Sequence, residues 1–278
     1  SENRRSQTRT ILILAVMCKL NLHPMMIMII PCFNEVQRID KQAYINFLKH
    51  TPDANLVFSD DGSTDNTISV LKEIKASHEN CVHVYVSNRN HGKAEAIRSA
   101  VLYLKTQNLK PSKIAYIDAD LAVSLEECYA LSKNLNDKIH FAFGSRISKV
   151  DNTIIRSSFR HYSGRMVSTV ISNILGVAIY DTQCGCKIFK SDLAFKVFEN
   201  PFISKWLFDV EIFFRIINLY SKTELKHIAR EIPLESWIDV GGSKVKLSYF
   251  FRMWYEFYLK TISWGSLKDI NTRLALDY

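Results

Sequence analysis

Three short apolar runs, Met25 to Ile30, Asn55 to Ser59 and Lys113 to Ile117, each end in polar and mostly acidic residues. The exits read Pro31-Cys32-Phe33-Asn34-Glu35, Asp60-Asp61-Gly62-Ser63-Thr64-Asp65 and Asp118-Ala119-Asp120. Each run has the length of a buried strand, and a segment of helical length follows each exit, so the chain alternates strand and helix. Such alternation dictates an α/β fold with a mostly parallel sheet flanked by helices. It also brings the three exits to one edge, beyond the carboxyl ends of the strands, where open α/β sheets bind ligands. Strands are predicted near 25–30, 55–59, 82–86, 113–117 and 140–144, and helices near 36–50, 65–76, 92–107 and 124–136. After residue 150 longer helices near 156–176 and 206–220 take over, then a strand over 225–234 and a turn at Val240-Gly241-Gly242-Ser243.

The last exit carries the most chemistry. Two carboxylates one residue apart repel each other and resist desolvation unless a cation sits between them. A hard divalent ion with oxygen ligands, Mg²⁺ or Mn²⁺, suits the pair, and such ions commonly carry a substrate's phosphates. An isolated Asp-x-Asp is more often a surface turn. At the second exit Gly62 permits a tight turn, and Ser63, Thr64 and Asp65 are good helix caps, so a capped strand-to-helix turn also accounts for that stretch.

Together, Pro31-Cys32-Phe33-Asn34-Glu35, Asp60-Asp61-Gly62-Ser63-Thr64-Asp65, Asn90-His91-Gly92-Lys93 and Asp118-Ala119-Asp120 resemble the family 2 glycosyltransferases of GT-A fold. Gly144-Ser145-Arg146, Asp181-Thr182-Gln183-Cys184-Gly185-Cys186-Lys187-Ile188-Phe189 and Trp206-Leu207-Phe208-Asp209-Val210-Glu211 are similar to the dolichyl-phosphate β-glucosyltransferase branch, close to the dolichyl-phosphate mannose synthases. The resemblance runs over residues 25 to 246 and implies a catalytic unit at 25–235, an extension at 1–24 and an aromatic, basic helical segment at 236–278. It implies a nucleotide-sugar donor, UDP-glucose ahead of GDP-mannose, and a polyprenyl phosphate as acceptor. Pro31, Asn34 and Glu35 would wrap the nucleotide, and Asp61 would accept from the base imide. Lys93, at a helix start, would face the diphosphate. Asp118 and Asp120 would hold Mg²⁺ or Mn²⁺. The mannose synthases add a Gln two residues after the second Asp; Ala122 stands there in this chain, which leaves a third ligand unassigned.

On the acceptor side, Arg146, Arg156 and Arg160 would grip a phosphate, the last two sharing a helix face at a spacing of four. Solvated helix arginines are the alternative. Gln183 and Lys187 resemble residues lining the sugar pocket. Asp209 and Glu211 lie where sugar-acceptor relatives carry a general base. A phosphate acceptor has less need of one, because its second pKa is about 6 and it is mostly dianionic at neutral pH. Inversion follows for such a direct displacement. Two other readings stay open: a family 2 transferase acting on a saccharide or other hydroxyl, and a catalytically silent nucleotide-sugar or membrane-binding module.

Charge and cysteine content narrow the setting. A net charge of +8, from 36 basic and 28 acidic residues, favours anionic partners. No helix-turn-helix, zinc-finger or aromatic RNA-binding motif selects nucleic acid. Six scattered cysteines form no C-x-x-C pair, which points to a reduced cytoplasmic compartment; Cys184 and Cys186 read as packing residues. Near the amino end, Ile11 to Cys18 is too short to cross a bilayer core that needs about 20 residues. A packing segment, a membrane-touching anchor and an export signal all fit it. Lys244 to Ile262 mixes Tyr249, Phe250, Phe251, Trp254, Tyr255, Phe257 and Tyr258 with Lys244, Lys246, Arg252 and Lys260. That pattern suits a helix lying in the headgroup plane, hence peripheral contact with the cytoplasmic face of a membrane, although a helix packed on the core would share it.

Overall fold

The computed structural model describes residues 25–107, 109–155, 168–205 and 207–238. Its strands are β1 (Met26–Cys32), β2 (Ala54–Asp60), β3 (Val82–Val86), β4 (Lys113–Tyr116), β5 (Phe141–Ser145), β6 (Thr153–Ile155), β7 (Lys187–Lys190), β8 (Ala229–Pro233) and β9 (Ser236–Ile238). Seven of them form one sheet in the order β3-β2-β1-β4-β7-β5-β8, and β6 pairs with β9 apart from it. All neighbours in the large sheet are parallel except β7, which runs antiparallel to both β4 and β5. The fold is therefore α/β with a mostly parallel sheet, as the alternation requires.

Alternate residues of β1 feed two cores. Ile27 and Ile29 face the helix Lys93–Thr106 and the helix Phe208–Tyr220, while Met26, Met28 and Ile30 face the helices Lys41–His50, Thr67–Ser77 and Leu125–Ser132. Burial on both sides is what a parallel sheet needs, and it explains the uninterrupted apolar run. The chain leaves β1 toward β2 on one side, while β4 flanks it on the other. That order reverses between β1 and β4, so a crevice is expected at their carboxyl ends.

Several boundaries differ from expectation for local reasons. The first helix starts at Lys41, because Glu35 to Asp40 forms a turn and Asp40 caps the helix through the amides of Gln42 and Ala43. The second starts at Thr67, with Asp65 accepting from the Thr67 amide at 2.9 Å. Lys222–Ile228 is a short helix capped by Ser221, so the strand expected over 225–234 shrinks to Ala229–Pro233. Ser236–Ile238 lies past the expected boundary at 235, yet pairs with β6. The helix expected over 156–176 appears at 168–175, and its earlier part lies outside the described residues. So do the segments 1–24 and 239–278, including both stretches with membrane character.

Candidate active site

The crevice is built by four chain exits. After β1, Asn34 adopts φ 54°, and its side-chain oxygen accepts from the Thr64 amide at 2.8 Å while its own amide donates to the Ser63 hydroxyl. Asn34 thus ties the first exit to the second. Glu35 is buried, donates its amide to the Thr67 hydroxyl, and grips Arg38 with a fork of 2.6 and 2.5 Å. Pro31 sits in β1 opposite Ser59.

Asp61 is 3% exposed, and its carboxylate accepts from the amides of His91 (2.9 and 3.1 Å) and Gly92 (2.7 Å). Burial holds its carboxyl above the ordinary value despite these bonds. It therefore organises the loop leading into the helix of Lys93. Gly62 completes that corner: it has φ +72°, and a Cβ there would meet the Arg89 backbone at 2.6 Å.

Lys93 opens its helix and pairs with Asp118 at the end of β4. Burial would lower the ammonium's pKa, but Asp118 and then Asp209 outweigh it and raise it, so Lys93 is charged. Asp118 is the open member of the acidic pair, with a side chain 40% exposed. Asp120 is more enclosed. Burial, then Asp118, pushes its carboxyl up, and Arg38 approaches it at 3.8 Å. The loop between them is fixed from below by the Tyr44 hydroxyl, which donates to the Ala119 carbonyl at 3.1 Å. Ala122 contributes its backbone, donating to Asp120 at 3.2 Å.

This donor set fits a hard divalent cation. Two carboxylates stand at one edge, and the positive charge they require is supplied here by Lys93 and Arg38. Among the described residues no third His, Cys, Asp or Glu completes a protein-only metal cage. Mg²⁺ is commonly held in that way, by one or two carboxylates plus substrate phosphates.

The acceptor-side residues divide. Arg146, just past β5, spends a fork on Asp181 (2.6 and 2.9 Å) and stacks over Trp237. Asp181 also accepts from the Gln183 amide, and Glu231 holds the amides of Tyr180 and Asp181. The Gln183 side-chain nitrogen is buried with no protein partner, as are the hydroxyls of Ser145 and Thr182 beside the same Arg146–Asp181 pair. Arg156 and Arg160 lie outside the described residues.

The two carboxylates considered as general bases are committed inward. Asp209 accepts from the Tyr116 hydroxyl and the Lys187 ammonium, each at 2.5 Å, and Lys187 is 0% exposed. Glu211, 2% exposed, accepts from the Ile203 and Ser204 amides and the Arg215 guanidinium. Lys187, expected to line the sugar pocket, is fully buried. Cys184 and Cys186 are fully buried, and like Cys32 and Cys128 they are free thiols.

A family model described as Glycosyl transferase family 2 matches residues 27–198, more than half of the chain. The chain belongs to that family. It is a glycosyltransferase, and among curated proteins it is similar to dolichyl-phosphate β-glucosyltransferases. That of Trichomonas vaginalis is 30% identical over 81% of this chain and 69% of the relative. The Saccharomyces cerevisiae protein is 30% identical over 79% and 69%, and the Mus musculus one 29% over 78% and 68%. Mannosyl-3-phosphoglycerate synthase from Rubrobacter xylanophilus shares the fold at TM-score 0.64 and 16% identity, covering 93% of this chain and 78% of that one. Glucosyl-3-phosphoglycerate synthase from Mycobacterium tuberculosis, solved with Mn²⁺ and UDP, aligns at TM-score 0.56 and 15% identity over 86% and 78%. The fold is GT-A.

Sequence reasoning missed Arg38, Tyr44, Tyr116 and Gly185. Gly185 had a visible signal, a glycine between two cysteines, because glycine marks close backbone approach. A Cβ there would meet the Asp118 carboxylate at 2.1 Å.

Proposed function

We propose that this glycosyltransferase moves a hexose, glucose from UDP-glucose, onto a polyprenyl phosphate with inversion at the anomeric carbon. The observation that carries the reading is the Lys93–Asp118–Asp120–Arg38 cluster at the strand exits, in a chain similar to dolichyl-phosphate β-glucosyltransferases. A bound Mg²⁺ or Mn²⁺, held by Asp118 and Asp120, would supply positive charge to the donor's diphosphate. Lys93 adds a fixed ammonium beside that position, where negative charge accumulates as the diphosphate departs. The loop locked by Asn34 and Asp61 borders the nucleotide side.

The inward commitment of Asp209 and Glu211 favours a phosphate over a hydroxyl acceptor. Neither carboxylate is available as a base without dismantling a buried ion pair, and a phosphate dianion needs none. The acceptor phosphate attacks the anomeric carbon, the bond to the diphosphate breaks on the opposite face, and an α-linked sugar becomes β-linked. Arg156 and Arg160 are assigned to the acceptor phosphate from sequence. The aromatic and basic segment 244–262 is assigned to peripheral contact with the cytoplasmic face of a membrane.

The test is incubation with Mg²⁺ or Mn²⁺, a short polyprenyl phosphate and radiolabelled UDP-glucose or GDP-mannose, followed by extraction into organic solvent. Extractable label from UDP-glucose is expected, falling at least about a hundredfold in Asp120→Ala, in keeping with loss of a principal electrostatic group. Label from GDP-mannose alone would reassign the donor. Donor hydrolysis with no lipid product would overturn the acceptor assignment.

A further inference from the structure

Arg38 belongs to no motif that points to the site, yet it sits where two of the site's negative charges meet. It closes the tight turn after β1, its amide donating to the Glu35 carbonyl at 2.8 Å. Its Nε and Nη2 are fixed on the Glu35 carboxylate at 2.6 and 2.5 Å. Glu35 is buried and anchored in turn by the Thr67 hydroxyl. This end of Arg38 is held as firmly as a forked charge pair allows. Its other end is not. Nη1 faces Asp120 at 3.8 Å, close enough for charge attraction but beyond hydrogen-bond length. A guanidinium has five N–H groups, and the fork uses two. The side chain is one-third exposed.

We propose that Arg38 is a displaceable countercharge that neutralises Asp120 in the free protein and turns to the diphosphate of a nucleoside-diphosphate donor when metal occupies the carboxylates, coupling metal and donor uptake. The inference rests on the metal-dependent transferase reading above and adds a residue and a linkage to it. A divalent cation arriving alone must displace Arg38 and Lys93 from Asp120 and Asp118, leaving those cations facing another positive charge. A nucleoside diphosphate arriving alone meets two carboxylates of its own sign. Arriving together, each finds the partner the other has released. The coupling is reciprocal: whatever factor metal adds to donor affinity, donor adds to metal affinity. Glu35 keeps Arg38 from following its charge out of the site, so the exchange needs only a small tilt of the whole planar guanidinium against that carboxylate.

The experiment measures binding without turnover. Mn²⁺ alone is titrated by paramagnetic resonance, and UDP by calorimetry with and without saturating Mn²⁺, on the full chain and on Arg38→Gln. Removal of the competing charge is expected to tighten Mn²⁺ alone roughly three- to fivefold, the scale of one part-exposed ion pair. UDP affinity in the presence of Mn²⁺ should fall about tenfold, so the coupling factor drops. Arg38→Lys retains a charge opposite Glu35 and guards against a folding failure of the Gln variant. It should bind Mn²⁺ alone as the natural chain does, while losing part of the UDP affinity. Unchanged coupling in a folded Arg38→Gln variant would overturn the inference and leave the transferase reading standing. So would a Lys variant that binds UDP with Mn²⁺ as tightly as the natural chain. If the natural chain takes up neither Mn²⁺ nor UDP, the transferase reading falls first and the inference with it.

Discussion

At the strand exits Lys93 sits on Asp118 and Arg38 faces Asp120, with all four side chains partly open to solvent. One layer down, Lys187 and Asp209 form the same kind of pair with almost no exposure, and Tyr116 donates to the same oxygen. The residue types match; the surroundings do not. A charge at the edge can exchange its partner for a ligand at little cost, because water screens the intermediate states. A charge below cannot, because losing its partner strands an ion away from water. The two layers are joined through β4, whose Tyr116 braces Asp209 while Asp118, two residues on, reaches the crevice. A rigid lower pair holding a labile upper one is an arrangement suited to binding a polyanion at a fixed place.

Breaking the lower pair should therefore have the largest effect. Lys187→Ala leaves Asp209 buried with only Tyr116, and a loss of about 3–5 kcal/mol of folding stability is expected. Denaturant unfolding would measure it. Replacing both partners, as Lys187→Met with Asp209→Leu, should recover much of that loss, since well-packed apolar side chains often substitute for a buried pair at no net cost. Lys93→Met in the upper pair is expected to change stability by no more than about 1 kcal/mol while depressing transfer sharply. Equal destabilisation by Lys187→Ala and Lys93→Met would erase the distinction between the layers.

Which layer a residue joins was only partly legible beforehand. Asp118, Asp120 and Lys93 could be found because strand exits in an alternating chain share an edge, and position along a strand is written in apolar periodicity. Asp209 and Glu211 were equally visible as carboxylates, but their partners were not. Lys187 lies 22 residues from Asp209, on a four-residue strand that inserts antiparallel between β4 and β5. Nothing in Lys187-Ile188-Phe189-Lys190 marks its first lysine for complete burial. Arg38 fell inside the helix expected over 36–50, and its role was hidden because it depends on where Glu35 is anchored, 32 residues away at Thr67. Residues 225–228 fell within the strand expected over 225–234, whereas Ser221 caps a helix there through the Glu224 amide. Tertiary partners decided all of these cases but the last, which a local helix cap decided.

Gly185 sharpens the comparison with a smaller perturbation aimed at the upper layer alone. An added Cβ would collide with the Asp118 carboxylate at 2.1 Å, and the side chain can swing toward the open crevice. Gly185→Ala is therefore expected to leave the melting temperature nearly unchanged. It should slow transfer by about tenfold to a hundredfold, the usual cost of misplacing a reacting group by about 1 Å. Full activity in Gly185→Ala would mean that the position of Asp118 is not decisive.

Between the two layers stands Arg146–Asp181, buried on the aspartate side and part-exposed on the arginine side. Burial alone would raise the Asp181 carboxyl, but the Arg146 guanidinium outweighs it and holds the group below its ordinary value. A carboxyl depressed on folding contributes stability that is fully present above its unfolded pKa and is lost as pH falls through the folded one. Thermal unfolding of the natural chain and of Asp181→Asn should thus differ most near neutrality, and the gap should narrow as the solution is acidified below the ordinary aspartate range. A narrowing gap would rank this pair with the fixed layer, its charge committed in the resting protein. A gap that stays constant into acid would mean that Arg146 does not depend on the ionised form of Asp181, which would rank it with Arg38 and Lys93 as a cation free to turn toward an incoming phosphate.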